Sequence, residues 1–154
     1  MDKFNEYYDF MDGYLSYFMK VKDNERGKME ALLSNDLKKI EEAMQEHQAS
    51  VKKIELLEKQ RRELSKQLGF GEMNFQEIIS TFDGEERKKL SLVRAKLQNT
   101  VKSIKYLNKK SLEIAGMQLR YYGELAGNAE EDAHIYNSKG MPELSNSTLL
   151  NTKA

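Results

Sequence analysis

The chain of 154 residues contains no cysteine, no tryptophan and a single proline, Pro142. Without cysteine it forms no disulfide, thiolate nucleophile or Cys-ligated zinc site, and nothing in it requires an oxidising compartment. No apolar run approaches the roughly 18 residues of a membrane span, and the acidic, tyrosine-bearing N-terminus lacks the pattern of a signal peptide. These absences predict a cytoplasmic protein without membrane insertion.

The net charge is zero, because 25 basic residues balance 25 acidic ones. A neutral chain has no global field that would attract nucleic acid or an anionic membrane. The apolar share of 39% is low and the charged share of 32% is high for a globular protein,. The length and composition therefore indicate one small domain with a thin core and an extensively charged surface.

Long helices are allowed, since nothing before Pro142 carries the strongest helix breaker,. Apolar residues recur at heptad-like spacing and predict three long helices, over 2–33, 36–68 and 84–126,. A one- or two-turn capping helix is predicted over 75–82. The fold class is therefore all-α.

The seams of the first two helices include Leu33 and Leu37, which this pattern assigns to the core. Gly69 follows the second helix and is placed to end it as a left-handed C-terminal residue,. Two glycines and an Asp-Asn pair at 23–24 weaken the first helix, so the sequence leaves its continuity open,.

Short connections make neighbouring helices antiparallel, which predicts an up-down-up bundle or hairpin with the short helix at one end. The bundle domain is expected to span 1–126. The remainder, 127–154, is polar with thinly spread apolar residues, and such a segment cannot offset its own ordering entropy,. We therefore expect 127–154 to be a flexible C-terminal tail.

The predicted fourth helix is longer than the second by ten residues, since 43 − 33 = 10. At 1.5 Å per residue it would project about 15 Å past its neighbours, with Gly116 as a hinge where the projection begins. An uncovered apolar helix end is typical of a docking surface, unless the first helix or the tail folds back over it. The candidate partner-binding residues of this helix are Met117, Leu119, Tyr121, Tyr122 and Leu125.

Catalysis has little support in the sequence, and we expect no enzyme activity, cofactor or metal. The two histidines, His47 and His134, belong to no nucleophile or zinc signature,. Glu131 and His134 form a single Glu-x-x-His, whereas di-iron bundles need two such motifs and two further glutamates,. The scattered glycines lack the spacing and preceding strand of a phosphate-binding loop.

Two polar features of the predicted helices, His47 and the charge of the fourth helix, are best explained by structure. His47 lies in a seam, near the level of Lys22 or Glu25 and of Asn108, where a register-fixing polar layer is favoured over a pH switch,. The fourth helix has a local excess of six positive charges, but it lacks any nucleic-acid reading motif,. A solvated face is the favoured interpretation, and no nucleic-acid partner is expected.

Several segments resemble the FlgN family of flagellar export chaperones. They are the run 58–69 that ends at a glycine, the turn 31–37, the Leu-Asn pair 107–108, and the Tyr-to-Gly element 136–140. The resemblance covers nearly the whole chain. One departure is Ser111, where the family tends to repeat an asparagine.

The resemblance implies a cytoplasmic, non-catalytic chaperone. It would bind C-terminal helical segments of the hook–filament junction proteins FlgK and FlgL, prevent their premature assembly and deliver them to the export gate protein FlhA. By this resemblance Tyr136 is the candidate for gate docking, and the late fourth helix and tail, with Ile135 and Leu144, are candidates for client binding. The alternative is a generic coiled-coil adaptor with no export role. Monomer and homodimer both stay open.

Overall fold

The computed structural model describes residues 2–126. They form four helices: α1 (Lys3–Ser34), α2 (Leu37–Gln67), α3 (Phe75–Ser80) and α4 (Gly84–Ala126). No strand is present in this part of the chain, which confirms the all-α class. None of the described helices is both long and apolar enough to cross a membrane. The predicted tail lies outside the described residues.

The helix ends follow local capping chemistry. Asp36 caps α2 by accepting hydrogen bonds from the backbone of Lys38 and Lys39, as its place before the helix predicts,. Asn35, between α1 and α2, has the left-handed φ of 58°, and Gly69 after α2 has a φ of +85°,. The backbone is helical without a break both through 23–24 in α1 and at Gly116 in α4, so the expected hinge is not a helix break.

Contacts along the chain fix the helix directions. The rings of Phe4 and Phe82 lie 5.5 Å apart at one end of the bundle. At the other end Gln118 donates a hydrogen bond to the carbonyl oxygen of Leu32. Residue numbers therefore rise together along α1 and α4, and α2 runs in the opposite direction. Both α2 and α4 pack against α1, and α3 packs against α4.

The apolar core lies mainly between α1, α3 and α4. Aromatic side chains of α1 fill much of it, and Tyr14 stacks on Phe18 at 4.8 Å between ring centroids. Tyr7 makes edge contacts with Phe70 and Phe75, which close the α3 end of the core. The fully buried apolar side chains of α4 in this cluster include Leu90, Leu97 and Ile104.

Helix α2 contributes buried residues of a different kind. Its buried positions are all polar or charged: His47, Ser50, Glu58, Arg61 and Ser65. Its apolar residues, such as Ile54 and Leu57, are only partly buried against the core. The attachment of α2 therefore depends on two buried polar layers as well as on apolar contact.

The first layer joins α2 to the middle of α1. The Arg61 guanidinium donates hydrogen bonds to both carboxylate oxygens of Glu58, at 2.7 and 3.1 Å. The Tyr14 hydroxyl donates to the same carboxylate at 2.9 Å. Burial alone would raise the pKa of Glu58, but the bonds from Arg61 and Tyr14 outweigh burial and lower it,. An ion pair with a neighbouring carboxylate is the usual way in which a core-facing helix position accommodates an arginine,.

The second layer joins all three long helices. The Nδ1–H of His47 donates to Glu25 at 2.6 Å, and the Lys28 ammonium lies 2.7 Å from the other carboxylate oxygen. Lys28 also donates to the side-chain oxygen of Asn108 at 2.8 Å. Burial acts to raise the pKa of Glu25, yet His47 and Lys28 together lower it,. The predicted polar layer at His47 is confirmed, and Glu25 and Asn108 belong to it as expected. The lysine in the layer is Lys28, not Lys22.

Candidate partner-binding site

One end of the bundle presents a cluster of exposed apolar side chains, which we call the apolar end. Ten large apolar side chains are exposed among residues 2–124, whose side chains the structure describes, and five of them lie here. The α1–α2 turn contributes two of them, and the last part of α4 contributes three. The members of the apolar end are Leu33, Leu37, Met117, Tyr121 and Tyr122.

Hydrogen bonds from Gln118 hold the two parts of the apolar end beside each other. Its side-chain amide donates to the carbonyl oxygen of Leu32 at 2.7 Å and to the side-chain oxygen of Asn35 at 3.1 Å. The last residues of α1 are therefore level with Gln118. Helix α4 continues to Ala126, which is eight residues further (126 − 118 = 8), or about 12 Å of helix,.

The projecting part of α4, about 12 Å, is shorter than the 15 Å expected from helix lengths,. Tyr121 and Tyr122 are 63% and 56% exposed, and Met117 is 56% exposed. The alternative that the first helix covers them is wrong, since α1 ends at Ser34, below the tyrosines, whereas the alternative that the tail covers them concerns residues outside the described part of the chain. The tyrosine rings contact each other edge to face at 5.4 Å. They form an aromatic pair on a continuous helix,.

The other predicted site residues fall into two groups. Leu119 is only half-buried and lies on α4 between the exposed positions. Leu125 lies in the last turn of α4, but its side chain is outside the described part of the structure. Ile135, Tyr136 and Leu144 also lie outside the described residues.

The assignment of Leu33 and Leu37 to the core is wrong. Their side chains are 60% and 69% exposed. They flank the turn that Asn35 and Asp36 form, where α1 and α2 end and the heptad seam between these two helices therefore ends as well. Their place beside a predicted turn was the signal in the sequence that could have identified them as members of the apolar end.

The basic face of α4 and the possible metal ligands of the sequence are positioned as follows. The lysines of the basic face, Lys102, Lys105 and Lys109, are exposed, as a solvated face requires. Within residues 2–126 no group of histidine, aspartate and glutamate side chains is placed to hold a metal ion. The predicted Glu131 and His134 motif lies outside that range.

The exposed apolar end of a helical bundle is suited to bind a helix of another protein, and comparison with known proteins agrees with such a role. No curated protein and no solved structure was found to match the chain. A family model described as FlgN protein matches residues 23–143, well over half of the chain, and this range includes the α1–α2 turn and the end of α4. The chain therefore belongs to the FlgN family of flagellar export chaperones.

Proposed function

We propose that this protein binds C-terminal helical segments of FlgK- and FlgL-like hook-associated proteins at its apolar end. It keeps these clients from assembling early and delivers them to an FlhA-like export gate protein. It acts in the cytoplasm, by binding rather than by catalysis. The observation that carries the proposal is the exposure of Leu33, Leu37, Met117, Tyr121 and Tyr122 at the end of the bundle where Gln118 joins α4 to the α1–α2 turn.

The physical basis is recognition of an amphipathic helix by an apolar surface. Such helices present apolar residues at spacings of three and four, and they bind by burying that stripe. Met117 and Tyr121 are four residues apart and share one face of α4, and Gln118 between them bonds to the α1–α2 turn that carries Leu33 and Leu37,. A client helix laid across this surface covers both partners and is unavailable for assembly.

Rigid tyrosines are suitable anchors for such a client, because they bury a large area at a low cost in side-chain entropy. Methionine adapts to different client side chains, which suits a surface that accepts two related proteins. The proposal extends the site along the chain to Leu119 and Leu125, and into the tail to Ile135 and Leu144. Tyr136 is assigned to gate docking by family resemblance.

The experiment is calorimetric titration of the full chain with peptides from the C-terminal segments of FlgK- and FlgL-like proteins. The Tyr121→Ala/Tyr122→Ala variant is expected to bind at least tenfold more weakly. Loss of an aromatic anchor costs about 1–2 kcal/mol or more, and about 1.4 kcal/mol is a factor of ten. The matched control is Tyr106→Ala, since Tyr106 is 60% exposed on the same helix but fifteen residues before Tyr121.

Thermal unfolding measured by circular dichroism separates binding from folding in this series. The exposed tyrosines contribute little to the core, so all variants should melt close to the parent chain. Equal affinity of the Tyr121→Ala/Tyr122→Ala variant and the Tyr106→Ala control would contradict the placement of the site. Absence of binding by the parent chain would favour the adaptor without an export role.

A second experiment addresses the tail and the oligomeric state. Deletion of 127–154 should weaken client binding if the tail contributes contacts, while helical circular dichroism is retained. Light scattering of the parent chain, alone and with the client peptide, distinguishes a monomeric chaperone from a homodimer.

A further inference from the structure

We propose that Gln118 is a positioning residue, which holds the α1–α2 turn and the end of α4 together so that the apolar end acts as one binding surface. The inference deepens the proposed function and rests on it. Gln118 itself is half-buried and is not among the exposed apolar side chains that would contact a client. It acts through the residues on either side of it.

The geometry of the amide gives Gln118 this role. Its single NH₂ group supplies one hydrogen to the backbone oxygen of Leu32, at 2.7 Å, and the other to the side-chain oxygen of Asn35, at 3.1 Å. The Leu32 carbonyl is one of the last four of α1, which lack the usual intrahelical partner. Apart from Gln118, it is approached by the backbone N–H of Asn35 at 3.4 Å, which is a long hydrogen bond,.

The residue that receives the second hydrogen bond is also informative. Asn35 has a φ of 58°, a conformation that glycine adopts with no steric cost,. Asparagine tolerates this conformation and in addition offers a side-chain acceptor, which glycine lacks. The turn therefore carries a residue that fits its backbone and also binds Gln118.

The position of Gln118 along α4 explains how its two hydrogen bonds affect the apolar end. Met117 precedes it, and Tyr122 lies one helical turn later on the same side of the helix,. Beyond Gln118 the helix passes the end of α1, so the placement of its tyrosines relative to Leu33 and Leu37 depends on where α4 is held at this level. Two hydrogen bonds from one amide fix that level to the turn.

The test compares Gln118→Met with Asn35→Gly. Methionine is close to glutamine in size and helix propensity but donates no hydrogen bond, so Gln118→Met removes both bonds. Asn35→Gly keeps the left-handed turn and the bond to Leu32, and it removes one bond. Since the natural chain has no cysteine, Lys38→Cys and Glu124→Cys allow a pair of spin labels on exposed sites that flank the apolar end.

The label distance measured by pulsed electron resonance, without peptide, should be narrow in the parent chain. It should be broad in Gln118→Met and intermediate in Asn35→Gly. The affinity for the client peptide should fall about tenfold in Gln118→Met, about threefold in Asn35→Gly, and stay the same in the Tyr106→Ala control. A melting temperature near that of the parent chain excludes general destabilisation as the cause.

A double-mutant cycle adds a readout that a merely structural role would not change. If Gln118 aligns the two parts, Leu37→Ser should reduce client affinity less in the Gln118→Met background than in the parent chain. An unchanged distance distribution, or an unchanged affinity with additive effects of the two substitutions, would overturn the inference. Failure of the parent chain itself to bind the peptide would instead overturn the proposed function, and the label distances would then decide whether Gln118 restrains α4.

Discussion

Removal of one partner from the buried Arg61–Glu58 pair should destabilise the fold far more than removal of the whole polar layer. Arg61→Leu leaves the carboxylate of Glu58 buried, with the Tyr14 hydroxyl as its only hydrogen-bond donor among the bonds described above. Arg62 lies 3.4 Å away but is largely exposed and compensates weakly,. An uncompensated buried charge of this kind costs about 3–5 kcal/mol.

The expected loss is large compared with the stability of a domain of this size, which is typically about 5–15 kcal/mol. At about 2–4 °C per kcal/mol, the melting temperature of Arg61→Leu should fall by roughly 6–20 °C. The measurement is thermal and urea unfolding followed by helical circular dichroism, with two-state behaviour checked by calorimetry.

The matched variant removes the charges together. Tyr14→Phe/Glu58→Leu/Arg61→Leu replaces the ion pair and the Tyr14 hydroxyl with apolar side chains, so neither charge of the pair is left buried without the other. Replacement of a buried ion pair by well-packed apolar residues is often neutral or stabilising. The triple variant should therefore be clearly more stable than Arg61→Leu. A single variant as stable as the parent, or a triple variant less stable than the single, would refute the reasoning.

Three further predictions concern stability. Because the pKa values of Glu25 and Glu58 are lowered from 4.5, the stability they add is present above about pH 4.5 and is lost as the pH falls through the lower folded-state values,. Urea midpoints should decline in that range and decline less in Glu25→Gln; midpoints independent of pH would contradict this. Asn108→Leu removes an acceptor from the buried Lys28 ammonium and should cost about 1–3 kcal/mol in urea unfolding, whereas an unchanged midpoint would show that Glu25 alone suffices,. Gly27→Ala should raise the free energy of unfolding by about 1 kcal/mol, since no atom lies within 4 Å of the added methyl group in this helical position; a decrease would mean that the helix needs glycine there,.

The helices themselves could be predicted closely from the sequence, because capping residues and glycines are local signals. Asp36 and Gly69 mark the ends of α2 to within one residue. A second row of buried residues on α1 was harder to predict. Tyr7, Tyr14 and Val21 form a second fully buried heptad row beside that of Phe4, Met11 and Phe18, because α1 packs against two helices and therefore buries a wider face than one heptad stripe.

The polar inner face of α2 could be predicted only in part. His47 was identifiable because it interrupts an apolar seam, and its level along the bundle follows from antiparallel counting. The bond from Tyr14 to Glu58 could not be identified in the same way, since it depends on how α1 and α2 are rotated against each other. The two-part nature of the apolar end was also hidden, because it depends on the Gln118 contacts with a turn more than eighty residues away in sequence.

The central place of α1 has a consequence for the protein as it leaves the ribosome. Domains are made from the N-terminus onward, so α1 and α2 emerge and can pair while α4 is still untranslated. Until then the side of α1 that will meet Leu97 and Ile104 faces water, with its aromatic rings uncovered. A nascent chain stalled before α4 should therefore expose apolar surface and aggregate readily. Folding should be completed only when α4 has left the ribosome.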